Sequence, residues 1–306
     1  MYCYVSIHFM NEEIVLSREN HTERITAMGK KLILLLIAVA VFSCGCSKEE
    51  QESLVLVKGN AAADTTSLSQ GQAETISDFY IGKYEVTQKE WTDVMGNNPS
   101  GFQGETLPVE TVSWYDAIEY CNKRSEKEGL TPYYSIDKSN KDPENVSEFD
   151  DIKWTISVNE GANGYRLPTE AEWQYAAGGG MESKQYPYSG GNNEEETTWY
   201  FRNSGKEFLT GDWEWTRIEN NRNSTHPVGS KKPNELGLYD MSGNVREWCF
   251  NWYQDLLIGS GNYRVWKGGG WLGDKTSCQI SYRGKYEANG KGPDMGLRVC
   301  RSIYEK

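Results

Sequence analysis

The sequence predicts a single α+β domain with little regular secondary structure, placed behind an export and anchoring segment. Three observations point there. Only three segments carry a helix-start signature, glycine punctuates most of the remainder (31 in 306 residues), and all 11 tryptophans fall between Trp91 and Trp271. Apolar anchors are thus concentrated in the C-terminal three quarters, with short strands and long loops between them. No tandem repeat is evident, which disfavours solenoids and propellers.

Residues 1–27 show neither helical nor strand periodicity and are read as an extension created by a misassigned start, with Met28 the true initiator. From Met28 the order is Lys30 and Lys31, an apolar run of 11 residues from Leu32 to Phe42, then small residues and cysteine. That order predicts a signal peptide over 28–46 ending in a lipid-attachment site. Val41-Phe42-Ser43-Cys44 fits the bacterial lipobox, so Cys44 is the expected lipidation residue and Cys46 the alternative. The run is short for a bilayer span and is followed by acidic residues, against a retained transmembrane helix. The expected location is the cell envelope, lipid-anchored to the outer membrane and facing the periplasm or the cell surface. Residues 47–75 are polar and read as a flexible tether, leaving 76–304 as the folded domain.

Within that domain Thr87-x-x-Glu90, Ser113-x-x-Asp116 and Thr169-x-x-Glu172 each place an acid where it can reach back to free backbone N–H groups, so a helix is expected after each. The second should stop at Gly129 and the third at Gly178, where glycine takes a left-handed cap. Aromatic segments such as FYIGKYEVT, KWTISV, RVWKGGGW and GLRVCRS supply short strands.

The formal net charge of −12, with no basic stripe, excludes nucleic acid as a partner. Such acidity fits either solubility or oxygen ligands for a hard cation. His8 and His21 precede the export signal, leaving His226 alone in the exported part, so a histidine-rich iron or zinc site within one chain is excluded. His226-Pro227 reads as a turn.

Six segments occur in a recognisable order: FYIGKYEVTQKEW at 79–91, LPVETVSWYDAIEYC at 107–121, GYRLPTEAEWQYAA at 164–177, HPVGSKKPNELGLYDMSGNVREW at 226–248, KGGGW at 267–271 and GLRVC at 296–300. Across residues 76–304 the chain resembles the formylglycine-generating enzyme (sulfatase-modifying factor) family. The resemblance implies a variant of the C-type lectin fold. It also implies an oxygen-dependent oxidoreductase that holds copper between two cysteines five residues apart, just after an Arg/Lys-Gly-Gly-Ser turn. Here that stretch runs from Lys267 to Cys278; Cys278 matches the second cysteine, but Gly273 stands for the first and Gly270 for the serine. Monovalent copper needs two soft ligands, so the copper site is expected to be lost and Cys278 to remain as the catalytic candidate or as a buried thiol.

The resemblance further implies calcium. Asp240 and Glu247 would supply carboxylate oxygens, Gly243 and Val245 main-chain carbonyls, and a second site would use Asn203 and the carbonyl of Ser204. The plainer alternative is that Glu247 is solvated or salt-bridged. Export puts Cys121, Cys249, Cys278 and Cys300 in an oxidising compartment where bridges are open to them. The family joins the cysteine matched by Cys121 to the C-terminal strand, but Cys300 lies one residue beyond the matching Val299, on the opposite strand face. Two functions follow. One is a binding or structural envelope lipoprotein, touching the membrane only through its lipid anchor and taking a protein or glycan ligand. The other is an oxidoreductase working through Cys278 on a protein cysteine or another substrate.

Overall fold

All three helix starts carry a reciprocal cap, in which the Thr or Ser side chain accepts from the backbone N–H three residues on and the acid accepts from the cap residue's own N–H. The helices are α1 (Gln88–Met95), α2 (Trp114–Lys127) and α3 (Glu170–Ala177), joined by two short pieces, α4 (Glu194–Thr197) and α5 (Trp215–Asn220). Gly129 takes φ +71 directly after α2, as expected. After α3 the left-handed residue is Gly179 (φ +91), whereas Gly178 stays right-handed at φ −73. The chain makes one further turn of 3₁₀ helix there, Gly180–Glu182, which moves the stop by one residue.

The computed structural model describes residues 53–63, 74–254 and 259–303. The extension at 1–27, the signal peptide at 28–46 with Cys44 and Cys46, and parts of the tether lie outside the described residues. Ser53–Lys306 form one compact unit. Twelve strands are described: β1 (Leu54–Val57), β2 (Asn60–Ala63), β3 (Glu74–Ile76), β4 (Phe79–Gly82), β5 (Tyr134–Lys141), β6 (Trp154–Val158), β7 (Tyr165–Arg166), β8 (Arg246–Trp252), β9 (Arg264–Lys267), β10 (Gly284–Tyr286), β11 (Met295–Gly296) and β12 (Cys300–Ser302). One sheet has the order β1-β4-β12-β7 and a second β10-β9-β8-β11, while β2-β3 and β5-β6 are separate hairpins. Mixed, short elements linked by long loops match the irregular α+β class read from the sequence.

The tether expectation is corrected at its centre. Leu54–Val57 pair antiparallel with Gly82–Phe79, and Val57 is fully buried. Four successive apolar residues gain more by covering β4 than by remaining in water, whatever the polarity around them.

The core has three clusters. The largest gathers the inner face of α2 (Trp114, Ala117, Ile118, Cys121) with Trp248, Met295, Leu297 and Val299. A second joins Val57, Phe79 and Ile81 to α3, Cys249 and Cys300, and a smaller one encloses Cys278 with Tyr188, Tyr200, Phe201, Ile218 and Trp271. Two of the large buried indoles keep their polar atom satisfied: Trp114 Nε1 donates to the Cys249 carbonyl at 3.1 Å and Trp248 Nε1 to the Val112 carbonyl at 3.0 Å. These two bonds lock α2 and its entry loop against β8. A chain beginning at Glu74 exposes the buried edge of β4; it is expected to unfold with a stability lower by roughly 2–4 kcal/mol, measured by denaturant titration beside the intact chain.

Candidate functional site

The loop from Gly237 to Glu247 enters β8 beside Arg298, and an ion pair closes it. Glu247 and Arg298 are both fully buried. Arg298 Nη2 donates to Glu247 Oε1 at 2.7 Å and Nε lies 3.0 and 3.1 Å from the two carboxylate oxygens, while Trp173 Nε1 donates to Oε2 at 2.6 Å. Arg298 also donates to the carbonyls of Gly82 and Tyr239, both at 2.8 Å. Of the two readings for Glu247, the geometry realises the salt bridge.

Asp240 is different. It sits at φ +56 and is 2% exposed; its Oδ2 accepts from Gly229 N at 2.6 Å, and its Oδ1 has no hydrogen-bond partner among the described residues. Burial pushes its carboxyl up to about 6. Gly243 takes φ +87, and a Cβ there would lie 2.6 Å from the Trp199 backbone nitrogen, so only glycine allows this turn to dock on Trp199. Val245 N donates to Glu85 Oε1 at 3.0 Å and Asn244 Nδ2 to Glu85 Oε2 at 2.7 Å, which brings a third buried carboxyl to the loop. Burial, followed by the nearby Asp240 and Glu247, raises Glu85 well above the ordinary carboxyl range. Of the expected calcium set, Asp240 thus fits a hard cation with one free oxygen, whereas Glu247, held by a guanidinium and an indole, does not.

The second expected set is fully used by the protein. Asn203 Oδ1 accepts from Tyr200 N and its Nδ2 donates to the Thr198 carbonyl, both at 2.9 Å. The Ser204 carbonyl meets His226 Nε2 at 3.0 Å and accepts from Ser224 N at 3.1 Å. His226 stacks on Trp199 with centroids 3.7 Å apart, and Lys231 Nζ lies 4.0 Å from that ring. His226 is therefore more than part of a turn: its ring, stacked on Trp199, meets the carbonyl of Ser204, one of the two oxygens expected to take a second cation.

The turn at Lys267 to Cys278 carries the remaining catalytic candidate. Cys278 is fully buried, and burial pushes its thiol up to about 12. Its sulfur lies directly under the turn, 2.7 Å from where a Cβ on Gly269 would be. At position 270 a side chain would begin 2.7 Å from Asp294 Oδ2, so the acid occupies the space a serine would need. At position 273 a Cβ would collide with Ser277 Oγ, which is tied to the Asp274 carbonyl at 2.8 Å. Monovalent copper needs two soft ligands, and with glycine at 273 this turn supplies the thiol of Cys278 alone, which does not fit it.

Cys121, Cys249, Cys278 and Cys300 are all buried free thiols. The one-residue shift explains the Cys121–Cys300 pair: Val299 packs in the cluster that contains Cys121, whereas Cys300 points into the other.

The site holds further buried ionisable groups to which the sequence reading gave no role. Lys267 is fully buried, its Nζ donates to Gln174 Oε1 at 3.0 Å, and burial lowers its ammonium to about 8. Glu110 and Asp294 are buried acids whose carboxyls are raised by desolvation. Thr111, beside Glu110, has φ +62, a conformation a β-branched residue rarely adopts. Arg246 Nε lies 3.0 Å from Asp294 Oδ2. The available signal was an acid or lysine inside an apolar, glycine-rich stretch, but its partner lies far away in sequence.

The profile of the sulfatase-modifying factor enzyme 1-like domain matches residues 40–303. A protein named chaperone protein LppX from Paenibacillus barcinonensis is 58% identical over 279 residues, covering 90% of this chain and 100% of that protein. A formylglycine-generating enzyme from Streptomyces coelicolor is 34% identical over 156 residues, 45% of this chain and 46% of that enzyme, so the chain spans about half the length of that relative. Among solved structures, Treponema denticola variable protein 1 superposes with a TM-score of 0.63 at 34% identity, covering 80% of this chain and 94% of that one.

Two outcomes are expected from these contacts. Arg298→Met leaves Glu247 buried without its counter-charge and is expected to cost about 3–5 kcal/mol in denaturant unfolding. Asp240 carries a raised folded-state carboxyl, so the folded protein binds more protons than the unfolded chain between the ordinary value of 3.8 and about 6, and stability falls as pH rises through that window. Asp240→Asn is expected to flatten that part of the stability profile and to stabilise the protein at pH 7 by on the order of 2 kcal/mol; an unchanged slope would refute the assignment.

Proposed function

Because the chain belongs to the sulfatase-modifying factor enzyme 1-like domain family yet keeps one thiol of the copper pair, we propose that it is a binding or structural protein of the cell envelope that does not generate formylglycine. The observation that carries this reading is the residue at position 273: glycine has no sulfur, so Cys278 lacks the second soft ligand five residues away. Cys278 adds to it, since a buried neutral thiol offers neither a soft anionic ligand nor a nucleophile. The relative named a chaperone at 58% identity supports a role in binding rather than oxidation.

The same reading includes lipid attachment at Cys44, with Cys46 the alternative, and residence at the outer membrane on its periplasmic or outer face. The export signal supports it, as does the name of that relative. The partner is a protein or a glycan, with the membrane touched only through the lipid.

A second reading is favoured by the orphaned oxygen of Asp240. A calcium ion there would take Asp240 Oδ1 with the carbonyls of Gly243 and Val245, and it would supply the positive charge that the buried carboxylate lacks. One carboxylate makes such a site weak.

Copper(I) loading followed by elemental analysis, beside a peptide-cysteine oxidation assay, is expected to find no stoichiometric copper and no aldehyde product. Copper bound at one equivalent and lost in Cys278→Ser would establish the oxidoreductase instead. Calcium is expected to raise the melting temperature of the native protein but not of Asp240→Asn; equal responses would remove the cation. Fatty-acid labelling in a bacterial host is expected to disappear in Cys44→Ala; loss only in Cys46→Ala would move the anchor.

A further inference from the structure

Arg246 is placed where the sequence reading assigned nothing. It opens β8, and its position beside the 268–270 turn is determined twice by Asp294: Arg246 N donates to the Asp294 carbonyl at 2.6 Å, and Arg246 Nε lies 3.0 Å from Asp294 Oδ2. The guanidinium carbon sits 4.6 Å from the centre of the Trp266 ring, and Trp266 packs against Tyr282 at 5.6 Å. Gly284 lies flush on the Trp266 indole, leaving no freedom for that ring to tilt away. The Arg246 side chain nevertheless keeps 28% of its surface open, against 3% for Asp294, and the contact between them is an ion pair without a hydrogen bond, since neither Nε nor Asp294 Oδ2 has a hydrogen-bond partner among the described residues. A guanidinium has five N–H donors in a fixed fork. Here Nε is buried close to the acid, so the open part of the side chain lies toward its Nη end, over the Trp266 ring.

We propose that Arg246 anchors a carboxylate-binding site, with Trp266 and Tyr282 as its aromatic wall, for a carboxylate group of a protein partner. The inference rests on the reading of this chain as a binding protein and names the chemistry its ligand must present. Planar bidentate pairing is what a rigid guanidinium does best.

Benzoate, benzamide and phenyl phosphate serve as probes, with binding to the native protein followed by saturation-transfer NMR. Benzoate is expected to bind, benzamide to bind at least about tenfold more weakly, and Arg246→Gln to lose benzoate by a similar factor. Arg246→Lys keeps the charge facing Asp294 but lacks the fork, and is expected to lose most of the affinity at an unchanged melting temperature. If benzamide matches benzoate, or either variant binds benzoate like the native protein, the proposal is overturned. Phenyl phosphate binding tighter than benzoate overturns the choice of carboxylate. Absence of benzoate binding in a protein that also takes up no copper removes this site while leaving the non-catalytic reading intact.

Discussion

The buried pair between Arg298 and Glu247 is the interaction on which the rest of the molecule depends. Through it the C-terminal strand region, β8, the end of β4, the 237–241 loop and α3 meet at two side chains, because Arg298 also bonds the carbonyls of Gly82 and Tyr239 and Trp173 bonds Glu247. Neither charge survives in the interior alone. The loops it joins have little regular backbone pairing of their own, so a polar hub with every acceptor oxygen of Glu247 engaged gives them a single arrangement.

That arrangement decides the chemistry nearby. Once Glu247 is committed to Arg298, the loop at Asp240 has one free carboxylate oxygen rather than a full cation set. Once Asp294 is drawn under the turn, a side chain at position 270 would begin against its carboxylate, and Arg246 is held beside it as an ion pair. At the same turn Ser277 Oγ lies where a side chain at 273 would begin, and aromatic side chains enclose Cys278. Nearby, the imidazole of His226 stacks on Trp199 and meets the Ser204 carbonyl.

Much of this is legible in the sequence where the cause is local. Each helix start is visible because a cap needs only residues three apart, and Gly129 acts as its position suggests. Gly178 does not, since the extra 3₁₀ turn over Gly180–Glu182 is formed by residues beyond α3 rather than by α3 itself. The segment at 54–57 is hidden by its polar surroundings, although its run of apolar residues marks it.

By itself, then, the sequence determined the irregular α+β class, the family, the three capped helices and the loss of the second soft ligand, because all of these reside in residue type and short spacing. Only the tertiary structure decided which carboxylates are spent and which remain open. Glu85, Asp240, Glu247 and Arg298 meet across more than two hundred residues, and whether a buried acid faces a guanidinium, an indole or nothing is a property of chain crossings that no local pattern encodes.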